Sequence, residues 1–133
     1  MLDKNHNQTR GKKRVGWNFG DILDAVGAVL PPETPAFIHG HRTISWGEAT
    51  KATNNLARGL VQRGAKPGDK LAIYMRNRPE YLLALSAAFK ARLTHVNVNY
   101  RYTPEEVWYI FDNSDAQTVV YASEFRDAVI EIR

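Results

Sequence analysis

The sequence predicts an α/β fold: βαβ units forming a partial parallel sheet with helices on both faces, preceded by a helix and a short hairpin. Two observations predict it. From Lys66 onward, short runs rich in Val, Ile and Tyr alternate with longer segments of helical period, and the junctions carry turn or capping residues. Strands that alternate with helices need right-handed crossovers and pair in parallel. Before Lys66 the pattern differs, with one helix, two adjacent short strands and a second helix. At 133 residues, 44% apolar and 24% charged, the chain suits one folded unit that buries roughly two-thirds of its unfolded surface.

The elements follow in order. Trp17-Asn18-Phe19-Gly20-Asp21 reads as a helix start, with Asn18 as cap and Asp21 near the positive end of the dipole. Trp17 and Ile22 occupy the positions of a hydrophobic staple. Leu23, Val26 and Leu30 continue at helical spacing until Pro31-Pro32 stops the helix. Ala36 to His39 and Thr43 to Trp46, joined at Gly40-His41, read as a hairpin. Ser45 and Glu48 have capping-box spacing, so the second strand passes straight into a helix. Ala49, Ala52, Leu56 and Leu60 mark its expected buried stripe, and Gly64 its C-terminal cap.

Lys66-Pro67-Gly68-Asp69 is a turn, and Leu71 to Met75 a nearly continuous apolar strand. Pro79 suits the first turn of a helix running to about Ala91. Val96 and Val98 belong to a second strand, expected to be central. Thr103, Pro104 and Glu106 form a capping box that opens a helix to about Asn113, with Tyr102 and Val107 placed to staple it. Thr118 to Tyr121 is a third strand. Ser123 is expected to cap a last helix with Phe125, Ala128, Val129 and Ile132 on one face. Ending inside that amphipathic helix, the sequence reads as truncated.

The net charge of +4 is confined to one end. Residues 1–15 hold Lys4, Arg10, Lys12, Lys13 and Arg14 against Asp3, and the other 118 residues carry 13 basic and 13 acidic side chains. Residues 1–15 therefore read as a flexible basic arm and residues 16–133 as a neutral α/β segment. Weak contact of residues 10–14 with an anionic membrane is one reading of the arm, a solvated leader the other; no specific nucleic-acid binding is expected. Cysteine is absent, which excludes disulfides and thiolate chemistry. The N-terminus has no apolar signal region, and the longest apolar run falls far below the ~20 residues of a membrane span. A cytoplasmic location is expected.

Candidate sites are few. Gly59 to Lys66 superficially resembles a phosphate loop, but its glycines end a helix instead of opening one, and Pro67 stands where Ser or Thr is needed. All nine glycines lie at or before Gly68, so the last 65 residues cannot form a glycine-rich phosphate cradle. His39 and His41 bracket Gly40 with no carboxylate nearby, so no metal site is expected. Serines 45, 86, 114 and 123 have no recognisable histidine partner, so no catalytic residue is assigned. The unexplained polar stretch is His95, Asn97, Asn99 and Arg101. A strand buried on both faces should show no polar face. Asn97, Asn99 and Arg101 are therefore the candidate interface or ligand-facing residues, with polar structural packing as the alternative.

Several segments together resemble the opening of the AMP-forming acyl-CoA synthetases, within the adenylate-forming superfamily. They are Thr43-Ile-Ser-Trp-Gly-Glu48, Asn54-Asn-Leu-Ala-Arg-Gly-Leu60, Lys66-Pro-Gly-Asp69, Met75-Arg-Asn-Arg-Pro-Glu-Tyr81, and Lys90-Ala-Arg92 continuing into Val96-Asn-Val-Asn-Tyr-Arg-Tyr-Thr-Pro-Glu-Glu106. The likeness covers residues 17 to 133, and the Val-Asn-Val-Asn-Tyr-Arg-Tyr form looks most like the fatty-acyl-CoA branch. It implies the N-terminal part of an adenylate-forming large domain. It also implies an enzyme that activates a fatty acid with ATP and Mg2+ to an acyl-adenylate and transfers the acyl group to CoA.

In such a family the Ser/Thr/Gly-rich phosphate loop and the lid with its catalytic lysine come after the region matched here. The resemblance therefore implies a fragment inactive alone, expected to bind none of these cofactors tightly, whose partner is the remainder of the synthetase or a full-length homologue. The alternative is a non-enzymatic short paralogue acting as an interaction or regulatory module. Arg92-Leu93-Thr94-His95 departs from the small residues and proline that many relatives carry at that junction.

Overall fold

The computed structural model of the protein describes residues 17–132, so the arm over 1–15 lies outside the described residues. In chain order the elements are α1 (Phe19–Val29), β1 (Pro35–His39), β2 (Arg42–Ser45), α2 (Trp46–Gln62), β3 (Lys70–Tyr74), α3 (Pro79–Lys90), β4 (Thr94–Val98), α4 (Pro104–Asn113), β5 (Ala116–Tyr121) and α5 (Arg126–Glu131). A single 3-10 turn, Ser123–Phe125, precedes α5.

Three helices begin with reciprocal capping boxes at the expected residues: Asn18 with Asp21, Ser45 with Glu48, and Thr103 with Glu106. A cap of this kind contributes about 1 kcal/mol, because it satisfies amides that have no partner inside the helix. The staple proposed across the first cap buries little, since Trp17 is 75% exposed. α2 ends at Gly64, whose φ of +98° suits glycine. Gly64 N–H donates to the Val61 carbonyl and Ala65 N–H to the Leu60 carbonyl, which together make a Schellman motif. Gly59 and Gly64 thus serve a helix and its end.

β1 and β2 form an antiparallel hairpin, while the other three strands form a parallel sheet in the order β4-β3-β5. β3 is central and almost fully buried, and its side chains alternate between two cores. Leu71, Ile73 and Met75 face α2 and α3, where Leu60, Ala84, Ala87 and Ala88 meet them. Ala72 and Tyr74 face the opposite side with Val98 and Val107, against α4 and α5. Leu71, Ile73 and Val107 are each fully buried, worth about 1.5–3 kcal/mol apiece in transfer free energy.

α1 docks on α3 where both are small or flat. A Cβ added at Gly20 would lie 2.7 Å from the Phe89 carbonyl oxygen, and the Phe19 and Phe89 rings stand 5.2 Å apart. The buried Lys90 side chain ties three helices, with Nζ 2.8 Å from both Asp24 Oδ1 on α1 and Asn54 Oδ1 on α2.

Four expectations need correction. β4 lies at the edge of the described sheet, not at its centre. Ala52 is exposed, and Thr53 takes its place on the buried stripe of α2 because its hydroxyl donates to the Ala49 carbonyl at 2.8 Å. Trp46 opens α2 instead of closing β2. Ser123 caps nothing: it begins the 3-10 turn, and Ala122 N–H donates to the Tyr74 carbonyl instead.

Candidate functional site

Three connecting segments leave the carboxyl ends of the parallel strands close together. Arg76 follows β3, Asn99 to Arg101 follow β4, and Ser123 to Phe125 follow β5. The Arg76 guanidinium ties them. It lies 4.6 Å from the Tyr100 ring centre and 6.0 Å from that of Phe125, and its Nε is 3.4 Å from Glu124 Oε1. Cations over aromatic faces are favourable by roughly 0.5–1 kcal/mol where exposed. Sequence reasoning missed Arg76, although the first residues after a central parallel strand are where open α/β sheets place their ligands.

The three predicted residues do not converge. Asn97, on β4, accepts a hydrogen bond at Oδ1 from the Tyr81 hydroxyl at 2.9 Å. The same hydroxyl is 2.8 Å from His95 Nε2, with the two rings edge to face. Tyr81, reaching from α3, thus meets the polar face of the edge strand. Burial pushes the Tyr81 phenol above its ordinary pKa and the His95 imidazole below 6.5. Asn99 lies beyond the strand, where its Oδ1 accepts from Arg101 N–H at 3.0 Å and its carbonyl from Tyr102 N–H at 3.1 Å. Both asparagines are engaged within the fold. Arg101 is exposed, its guanidinium 5.3 Å from the Tyr100 ring and without a hydrogen-bond partner among the described residues.

A second polar group sits where α3 begins. Glu80 holds Arg78 Nε at 2.8 Å with one oxygen and Arg42 Nη1, from the hairpin, with the other. Those two hydrogen bonds, Arg42 first, lower its pKa to about 2. Arg78 lines two open clefts. The larger, about 530 Å3, lies between β1 and the start of α3. The smaller, about 370 Å3, lies between α2, α3 and the end of β5.

His39 and His41 are exposed at the hairpin tip, and no group of three metal-ligating side chains occurs among the described residues. No helix among them is long and apolar enough to cross a membrane. Chemically, the carboxyl-end cluster offers cations and aromatic faces, groups that hold anions and planar rings.

Comparison with known proteins agrees with this architecture. The sequence profile of the AMP-binding enzymes matches residues 25–132. A 3-oxocholest-4-en-26-oate–CoA ligase from Rhodococcus rhodochrous is 39% identical over 115 residues, covering 86% of this chain and 20% of that protein. A medium/long-chain-fatty-acid–CoA/3-oxocholest-4-en-26-oate–CoA ligase from Mycobacterium marinum is 34% identical over 119 residues, 89% of this chain and 21% of that protein. The chain therefore spans about a fifth of the length of the curated relatives it matches. Among solved structures, a benzoate CoA ligase from Burkholderia xenovorans superposes with a TM-score of 0.81 at 20% identity, covering 88% of this chain and 22% of that one. A Mycobacterium tuberculosis fatty acyl CoA synthetase gives 0.78 at 23%, covering 86% and 23%. At these identities the superpositions speak for the fold alone.

Proposed function

The chain belongs to the AMP-binding enzyme family, and from that premise we propose that it forms the first α/β segment of an ATP-dependent acyl-CoA ligase. The acid it serves has a long apolar body, as in a fatty acid or the side chain of a sterol acid. The observation that carries this reading is the identity of 34–39% to ligases named for such acids, over nearly the whole of the described segment. In the complete enzyme the carboxylate displaces pyrophosphate from ATP, giving an acyl-adenylate. The CoA sulfur then attacks the acyl carbon and AMP leaves.

The role of this segment is a scaffold. Its last 65 residues contain no glycine, and a triphosphate cradle built from backbone amides needs such residues. ATP, Mg2+ and CoA are accordingly held with the help of residues outside it. Of Asn97, Asn99 and Arg101, we assign the outward-facing role to Arg101. The two asparagines are tied to Tyr81 and to the turn, whereas the guanidinium is exposed on its aromatic shelf.

The test is acid-dependent ATP–pyrophosphate exchange. The 133-residue chain should support none, and the protein encoded by the whole reading frame should support it with octanoate or 3-oxocholest-4-en-26-oate. Exchange by the 133-residue chain overturns the scaffold reading. A stop codon after Arg133 with stable soluble expression favours a non-enzymatic module that pairs with a full-length synthetase.

A further inference from the structure

We propose that the groove between α4 and α5 is the docking site for residues 10–14 of a second copy of this chain, so that two copies exchange basic arms. The proposal does not depend on the ligase reading and starts from where charge lies. Residues 101–133 carry seven acidic against three basic side chains, a net of −4, and residues 1–15 carry five basic against one acidic, a net of +4. All seven acids of the α4–α5 layer are exposed, and among the described residues only Glu124 of them has an ion-pair partner. Elsewhere Asp21 holds Arg92, Asp24 holds Lys90, and Glu80 holds Arg42 and Arg78. Carboxylates left unpaired across one layer repel each other, and a basic segment laid over them relieves that repulsion.

The groove has the chemistry to take a long basic side chain. Pro104, Glu105 and Trp108 of α4, with Glu131 and Ile132 at the end of α5, line about 290 Å3. Glu105 and Trp108 are three residues apart and share a face of α4. Trp108 is 51% exposed, and each helix adds one carboxylate to the groove. A Lys or Arg head placed there gains a cation–π contact and charge-assisted hydrogen bonds, while its methylene stem covers the indole.

The arm is too short for the groove of its own chain. Trp17 leads into α1, whose Phe19 and Gly20 pack on Phe89 and Lys90 at the end of α3. α3 and α4 cover opposite faces of the sheet, about 20 Å apart through it. The end of α3 and the start of α4 also lie at opposite ends of β4, whose five residues add ~17 Å. Lys12 is five residues before Trp17, at most ~18 Å of extended chain, and that chain has to pass round the sheet edge. Between two copies each arm meets the other's groove, and the reciprocal contact closes a two-fold dimer.

Sedimentation velocity of the 133-residue chain over a concentration series tests this. At about 50 mM NaCl the chain should show a monomer–dimer equilibrium, weakened by on the order of tenfold at about 500 mM. K12E/K13E/R14E, which alters no described residue, should weaken the dimer by on the order of tenfold or more, as should E105K/E131K. The chain carrying both charge reversals should dimerise again, which general adhesion of apolar faces would not produce. The proposal is overturned if the chain stays monomeric at low salt, or if association survives either charge reversal. It is equally overturned if the combined variant, folded by far-UV circular dichroism, fails to regain the dimer.

Discussion

Tyr81 and Asn97 join helix α3 to the edge strand β4 through one hydrogen bond of 2.9 Å, from the phenol to the amide oxygen. The hydroxyl has a single proton, so the neighbouring His95 Nε2, 2.8 Å away, must donate to the Tyr81 oxygen. Y81F removes both bonds and leaves a half-buried imidazole without its partner. The expected cost is about 1–2 kcal/mol, read as a lower urea midpoint at unchanged m-value.

His95 also makes stability depend on pH. Burial lowers its folded pKa below the 6.5 it has when unfolded. Between those two values the unfolded chain binds more protons, so stability rises with pH across that window. As pH falls from 6.5 through the folded pKa, stability is lost, and below the folded pKa the His95 contribution is flat. Urea melts from pH 7.5 to 5 should show this slope, and H95Q should abolish it. The His95 C2–H resonance should titrate below 6.5.

The local half of this fold was legible in the sequence, because its signals act over three or four residues. Asn18 with Asp21, Ser45 with Glu48 and Thr103 with Glu106 are each complete within a single turn. Gly64 and Gly68 stand where left-handed backbone is needed. Position in the sheet is not local: β4 looks central by its valines, and its edge placement depends on β5, about twenty residues later. Its polar face is explained by Tyr81, which lies 14 to 16 residues upstream on another element. Thr53 escaped notice because a hydroxyl satisfied by its own helix packs like an apolar group. Arg76 escaped because its partners, Tyr100, Glu124 and Phe125, follow β4 and β5, and Arg78 because the Glu80 it pairs with is shared with Arg42 of the hairpin. A candidate site assembled from four separated segments leaves no spacing to read.

Glu80 is expected to control the hairpin more than global stability. Its carboxylate, about one-third exposed, bridges Arg42 and Arg78, and its pKa is lowered from 4.5 to about 2. The stability it contributes is present above 4.5 and lost as pH falls from 4.5 to about 2. Solvent screening limits the contribution to about 1 kcal/mol or less. E80Q should therefore shift the urea midpoint only slightly. Amide exchange in β1 and β2 should accelerate selectively, since the hairpin loses its tie to α3.

Two non-glycine residues adopt left-handed backbone after helices, Arg92 at φ +63° and Asp115 at φ +52°. Glycine would relieve strain at both, but the consequences differ. Arg92 also grips Asp21 with two hydrogen bonds of 2.6 and 3.0 Å, which fastens α3 to α1. D115G should stabilise the protein by about 0.5 kcal/mol, the relieved strain less the extra freedom of glycine in the unfolded chain. R92G should gain less than D115G, or lose stability, because it also releases Asp21. The difference between the two melting temperatures, and its shrinkage in high salt, measures the α1–α3 tie.

Gly20 sets how closely α1 approaches α3. A Cβ there would meet the Phe89 carbonyl oxygen at 2.7 Å, the Lys90 Cα at 2.8 Å and the Lys90 nitrogen at 2.9 Å. All three are backbone atoms, which cannot rotate aside as a side chain would. Alanine has a higher intrinsic helix propensity, worth about 1 kcal/mol in its favour, so propensity alone predicts that G20A stabilises. Overpacking costs typically 1–3 kcal/mol, and it acts where Phe19 stacks on Phe89 and Asp24 reaches Lys90. The clash should prevail, giving a net loss of about 1 kcal/mol in urea unfolding together with faster amide exchange throughout α1. A stabilised G20A would show that α1 can shift without cost, and that the close approach does not fix its position.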